Sequence, residues 1–318
     1  MKSPNLQSVS RTEPAASSRP AKGIKRIFVG PQGIRAGWRI ALFWLIFVAL
    51  FAGAGFVLKG VLHVNVSGMK TIPPSFLLVA EAVQLTAIAV ATTAVALIER
   101  RSPLSYGLQG RARGARFAGG VVTGVVGISV LVGVLWSLGY VQLQAGGIPM
   151  AEAVKYGVLW AIAFLAVGFF EEMMLRGYFL YALARRIGFW WATLLTSAIF
   201  GAIHGINHGE TVIGLLQAAA FGLIACLSIW YTGSLWWAIG CHFGWDWAQS
   251  FVYGVRNSGL QIEGALLSAH PVGNIWLSGG NTGPEGSVFA LLMTAVIALL
   301  MLLWWRRGGS AFARVEAN

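Results

Sequence analysis

Glu171 and Glu172 stand side by side in VGFFEEMMLRGY, residues 167–178, directly behind a run that is apolar from Gly157 to Phe170. Arg176 follows Glu172 by one helical turn. Two other polar intrusions interrupt apolar stretches: His204, four residues after Phe200, and the pair His242 and Asp246, also four apart. Asp246 is the only aspartate in the chain. Carboxylates and imidazoles are the groups that take a proton from water, stabilise an oxyanion or hold a metal. A charge at the centre of a bilayer costs about 2.5–3.5 kcal/mol on insertion scales, so such residues face a partner or a water-filled cavity.

Helical spacing sorts these groups into roles. Glu172 and Arg176 share a helix face and can pair, acid before base. Glu171 points about 100° away from them and is left to face a cavity. His242 and Asp246 share a face as well, so the carboxylate can fix the tautomer of the imidazole. Glu171 and His204 each lie roughly 25 Å along a straight helix from a turn near Gly188, which sets them at one level. His242 and Asp246, counted from a turn near Gly233, come somewhat shallower. Each group also has a structural reading: a buried ion-pair staple for the glutamates, a satisfied core histidine for His204. The set as a whole has the parts of a hydrolytic site, with a carboxylate as general base on water and two histidines beside it.

Membrane helices must position these residues. The chain has 318 residues, 57% hydrophobic and only 11% charged, whereas soluble domains carry about 25% charged residues. Eight apolar runs approach the ~20 residues that span a bilayer: Trp38–Leu58, Phe76–Leu97, Phe117–Tyr140, Tyr156–Phe170 with its continuation, Phe189–Gly205, Val212–Thr232, Leu235–Tyr253 and Ser287–Trp305. The expected fold is an all-α polytopic membrane protein of about eight transmembrane helices, with the polar site between spans four, five and seven. The runs are too apolar for a β-barrel. All of the 23 Lys and Arg except Lys59, Lys70, Lys155 and Arg256 fall on one side if both termini are cytoplasmic. Trp190–Trp191, Trp236–Trp237 and Trp304–Trp305 then sit at cytoplasmic ends, in the headgroup layer.

The net charge of +12 is explained by that topology and by anionic lipid. The basic residues form no single stripe, so nucleic acid is not an expected partner. Residues 1–36 read as a disordered basic cytoplasmic tail without the early apolar core of a cleaved signal peptide. Residues 37–150 read as N-terminal transmembrane helices and 151–255 as the catalytic core. Residues 256–286 form an outer loop, a lid or a linker, and 287–318 the last helix and a basic tail. Cys226 and Cys241 lie in spans and give no disulfide framework. His63 and His270 fall in outer loops. His208 completes an HxxxH with His204, but Gly205 and Gly209 weaken the helix there. Glu81, near the outer end of span two, is expected to reach water.

The ordered set EExxxR (Glu171, Glu172, Arg176), FxxxH (Phe200 to His204) and HxxxD (His242 to Asp246) resembles the CPBP family of intramembrane proteases. That group includes the type II CAAX prenyl endopeptidase and many bacterial homologues. The likeness covers about Val154 to Phe251, and RRSPLSYGLQ, residues 100–109, resembles the basic loop before the core of bacterial members. It implies endoproteolysis in the membrane, with water activated by Glu171 and His204, support from Glu172 and Arg176, and oxyanion stabilisation by His242 and its partner. Members often carry Asn where this chain has Asp246, and an ionised Asp cannot donate to an oxyanion. Asp246 therefore orients His242, or is protonated, or a metal matters more. Members are commonly labelled metalloproteases, and Glu171, His204 and His242 could make an open three-ligand Zn2+ site. A metal-free, glutamate-activated water explains the same residues, and the motifs lack HExxH spacing.

The expected activity is that of a membrane hydrolase acting on a protein or peptide substrate, lipid-modified ones included, whose C-terminal region arrives from the cytoplasmic side. The expected location is a bacterial inner membrane. Two other classes compete. A non-catalytic interaction or immunity protein would be expected to have lost Glu171, His204 or His242, and all three are present. A transporter using Glu171 and Asp246 predicts paired Gly or Pro breaks in repeated halves, and no such repeat is visible.

Overall fold

With no water to satisfy backbone groups in lipid, each apolar run must close its hydrogen bonds internally and becomes a helix. The computed structural model describes residues 25–30, 33–60, 71–207, 209–305 and 311–312. Its main helices are α1 Ala36–Gly60, α2 Pro74–Glu99, α3 Arg113–Ser137, α4 Met150–Arg176, α5 Tyr178–Ile187, α6 Phe189–His204, α7 Val212–Thr232, α8 Trp236–Trp247 and α9 Val288–Trp305. Each of the eight apolar runs corresponds to a helix or helix pair. Among the described residues six spans are long and apolar enough to cross a membrane: α1, α2, α3, the α4–α5 pair, α7 and α9. The other two runs are shorter, α6 with 16 residues and α8 with 12. A π-helical turn, Ala248–Val252, prolongs α8. His63, His208 and most of both tails lie outside the described residues.

The fourth run is not one straight rod. At Gly177 the backbone leaves helical geometry (φ −76°, ψ −130°), and a Cβ there would lie 2.4 Å from the Met173 carbonyl. The straight-arm premise for the depth of Glu171 therefore fails, although Glu171 and His204 still meet at one cavity.

Glycines set the tightest contact in the bundle. Gly120 and Gly124 of α3 face Gly240 and Gly244 of α8. A Cβ at Gly120 would lie 2.2 Å from the Trp237 carbonyl, and one at Gly124 2.2 Å from that of Cys241. Reciprocally, Gly240 would strike the Phe117 carbonyl at 2.2 Å and Gly244 that of Val121 at 2.5 Å. Without a hydrophobic force between helices in lipid, small residues four apart let backbones approach and gain dispersion contact. This double Gly-xxx-Gly seam anchors the helix that carries His242 and Asp246.

The two ends of the bundle differ. At one end Arg39 of α1 (3.2 Å) and Arg185 of α5 (2.9 Å) pair with Glu99 at the end of α2. There too, Leu235 N–H donates to the Gly107 carbonyl and Trp236 Nε1 to that of Leu108. At the opposite end, strand β1 Val141–Ala145 pairs antiparallel with strand β2 Leu267–Pro271, Val141 opposite Pro271 and Ala145 opposite Leu267. Ile72 bridges to Ile262, Trp160 Nε1 donates to the Glu263 carbonyl, and Thr282 Oγ1 to that of Gly209. Residues 256–286 are thus a folded cover, tied to α2, α4 and the α6–α7 connection. Trp190, Trp191 and Trp304 are exposed, as a headgroup position requires, but Trp237 is 5% exposed and packs inward.

Candidate active site

Glu172 and Arg176, both completely buried, form the expected pair: Nη1 of Arg176 lies 3.1 Å from Glu172 Oε1. Gly222 of α7 makes the room, since a Cβ there would lie 2.6 Å from Arg176 Nη2. The guanidinium stacks 4.1 Å above the ring of Phe200. The same ring touches His204 (centroids 4.6 Å) and meets His242 edge-on at 6.1 Å. Phe200 is therefore the spacer that separates the cation from both histidines, which gives the Phe of the FxxxH spacing a physical task.

Glu171 turns to the other side, as the helical spacing requires. It lines a cavity of about 150 Å³ together with His204, His242 and Asp246. Its side chain is 25% exposed, and Oε2 has no hydrogen-bond donor among the described residues. The nearest imidazole nitrogen is Nε2 of His242 at 3.6 Å.

His242 corrects one expectation. Its tautomer is fixed by Glu172, 3.1 Å from Nδ1, and not by Asp246, which sits 3.5 Å from Nε2. Glu172 thus anchors Arg176 and His242 through one oxygen, Oε1. Asp246 faces the cavity-side nitrogen, and Asn257 of the outer segment lines the same cavity. Gly168 of α4 admits α8 closely enough for this, with a Cβ there 3.3 Å from that of His242.

His204 ends α6, and its Nδ1 lies 2.8 Å from the Phe200 carbonyl. A carbonyl only accepts, so Nδ1 carries the proton and Nε2 is the nitrogen available to the cavity. Glu171, His204 and His242, the set considered for zinc, all line the cavity but are not drawn together into a ligand cluster. Among the described residues no group of three or more His, Cys, Asp or Glu could hold a metal ion. Nδ1 of both histidines is engaged, by Phe200 and by Glu172, which leaves Nε2 of each toward the cavity.

Sequence reasoning missed three residues of the cavity wall. Glu81 does not reach water: it is 4% exposed, lines the cavity and takes a 2.8 Å hydrogen bond from Gln84. Asn257 and Glu285 come from the outer segment. Glu285 accepts from Trp245 Nε1 at 3.1 Å and from Ser258 N–H at 3.0 Å, which stitches the cover to α8. Glu81 had a usable signal, a lone acid in the first turns of an apolar helix. The other two reach the site only through the folded cover.

Residues 153–248 match the family model described as type II CAAX prenyl endopeptidase Rce1-like. The matched stretch contains all three motifs, and the match supports the CPBP assignment drawn from them. No curated protein matches the chain. The chain is an integral membrane protein with a core of protease-family type.

Proposed function

We propose, with an Rce1-like domain at residues 153–248 as the premise, that the chain is an endopeptidase that hydrolyses a peptide bond within the membrane by activated water. One observation carries the reading. Glu171 is a donor-poor carboxylate that faces a cavity shared with two histidines, while its neighbour Glu172 is completely buried and held through Oε1 by Arg176 and His242.

The chemistry follows from the atoms. Water held between Glu171 and Nε2 of His204 loses a proton to Glu171 as its oxygen attacks the scissile carbonyl carbon. The carbonyl electrons move to oxygen, where His242 in its imidazolium form, with Nδ1–H given to Glu172, can donate from Nε2–H to the developing oxyanion. Collapse breaks the C–N bond, and Glu171 returns the proton to the leaving nitrogen. Glu172 and Arg176 are positioning residues: a charge pair on the buried side keeps His242 in register. Asp246 cannot donate in its ionised form, but the amide of Asn257, which lines the same cavity, can. The topology proposed with this function has both termini on the cytoplasmic side of a bacterial inner membrane, on the strength of the basic residues around Glu99.

The test is peptide cleavage read by mass spectrometry with the full chain in lipid nanodiscs. A pooled library that includes farnesylated CAAX peptides is offered to wild type and to Glu171→Gln. Products from wild type that vanish in the variant are expected. Equal products from both proteins would overturn the assignment of Glu171.

A further inference from the structure

We infer that the cavity is served from the non-cytoplasmic face, and that its substrate is an internal, neutral-to-basic segment of an exported or membrane-anchored polypeptide. This rests on the peptidase reading above.

The side of entry follows from which ends of the helices build the cavity. Ile72 precedes α2, and Leu77 and Glu81 lie in its first turns; Gly214 and Gln217 lie in the first turns of α7. Asn207, Asn257 and Leu260 belong to connections at that same end. The far ends of α2 and α7 carry Glu99 with its arginines and the turn before Leu235. Arg100, Arg101, Arg111 and Arg113 flank those far ends. Among the described residues the cavity end has only Lys59, Lys155 and Arg256. The excess of Lys and Arg marks the cytoplasmic face, so the cavity opens away from it.

The floor agrees. On the basic side of Glu171 the bundle is filled by Met173, Met174, Leu175, Tyr178 and Leu180, none more than 7% exposed. They belong to one continuous core with Phe170, Leu235 and Ile239. A polypeptide coming from the cytoplasm would have to displace that core. From the other end it meets only the cover, where Leu260 is 44% exposed.

The charge of the lining sets the substrate class. Four carboxylates, Glu81, Glu171, Asp246 and Glu285, face the cavity, and among the described residues no Lys or Arg lines it. A substrate cut a few residues before its own C-terminus would bring a fifth carboxylate among these four, with no Lys or Arg to meet it and with His242 already shared by Glu171, Glu172 and Asp246. Unpaired like charge in a partly dehydrated site is strongly disfavoured. An internal segment brings only peptide groups and side chains, and basic side chains are favoured.

Side and substrate are tested separately. Leu260→Cys and, as a second probe, Leu266→Cys are treated in intact cells with a membrane-impermeant maleimide, beside Arg111→Cys. The native Cys226 and Cys241 are buried. Labelling of Leu260→Cys or Leu266→Cys in intact cells, and of Arg111→Cys only in inverted vesicles, is expected. The reverse pattern would overturn the assigned side. Two peptides with the same apolar centre are then compared in nanodiscs, one amidated with flanking lysines, one farnesylated with a free C-terminal carboxylate. The amidated peptide is expected to have a kcat/KM at least about tenfold higher, equivalent to ~1.4 kcal/mol. Faster cleavage of the free-acid peptide would overturn the substrate class. Cleavage of neither, or equal cleavage by Glu171→Gln, would instead bring down the peptidase reading and leave the labelling result standing.

Discussion

Two acidic sites in this bundle, one at each half, have opposite character. At the basic end Glu99, its side chain 4% exposed, is surrounded by donors. Arg39 and Arg185 pair with it, and the hydroxyls of Tyr106 and Tyr178 donate at 3.1 and 3.3 Å. Burial, and then the Glu99 charge, hold the Tyr106 phenol above its usual range, so it remains a donor. In the cavity half the balance is inverted. Glu171, Glu172 and Asp246 converge on one imidazole, with Arg176 engaging only Glu172. The first cluster ties three helices together. The second leaves an oxygen without a donor on both Glu171 and Glu172, and of the two only Glu171 lines the cavity, where a general base needs free lone pairs. The supply of donors, together with exposure to the cavity, separates Glu99 from the base proposed at Glu171.

That contrast is open to direct attack. Glu171→Gln should lower peptide cleavage by about 10²–10⁴-fold, the usual contribution of a positioned base, with the melting temperature unchanged. A variant retaining a tenth of the activity would break the comparison. Glu172→Gln should lower cleavage by about 10–100-fold through misplacement of His242, and cost about 3 kcal/mol by leaving Arg176 buried without its partner. Thermal unfolding in nanodiscs beside kcat and KM would show both losses. Gly124→Ala should shift α8 and cost about 1–3 kcal/mol through overpacking, with activity falling in step as His242 and Asp246 move. Intact activity there would mean that the glycine seam does not hold the site. Glu99→Gln should have the smallest catalytic effect, within about twofold, while losing about 1.5–3 kcal/mol from charge-assisted hydrogen bonds. A large loss of cleavage would erase the distinction between the two clusters.

How much of this was readable beforehand depends on whether the cause is local. The membrane helices follow from hydropathy, and the opposite headings of Glu171 and Glu172 follow from 100° per residue. The convergence of Glu171, His204, His242 and Asp246 on one cavity was approached by counting from the turns. It survived the break at Gly177 because the helices are antiparallel neighbours. The contact between Glu172 and His242 joins residues 70 positions apart and has no spacing signature, so the nearer Asp246 was the natural but mistaken choice for the orienting partner. The outer segment has no periodicity to read, and its place over the cavity comes from pairings with Ile72, Val141 and Trp160. The glycine seam was legible in principle, since Gly120 and Gly124, and Gly240 and Gly244, each repeat at four residues. It was hidden among 41 glycines.

That seam also decides which wall of the cavity can move. Two backbones in contact have no side chains between them to change rotamer, so α8 can neither roll nor tilt against α3 without a clash of main-chain atoms. The opposite wall is held by single hydrogen bonds and one short two-stranded sheet. A polypeptide threading toward Glu171 therefore meets a fixed anvil carrying His242 and Asp246. Whatever yields to admit it must be the cover and the first turns of α2.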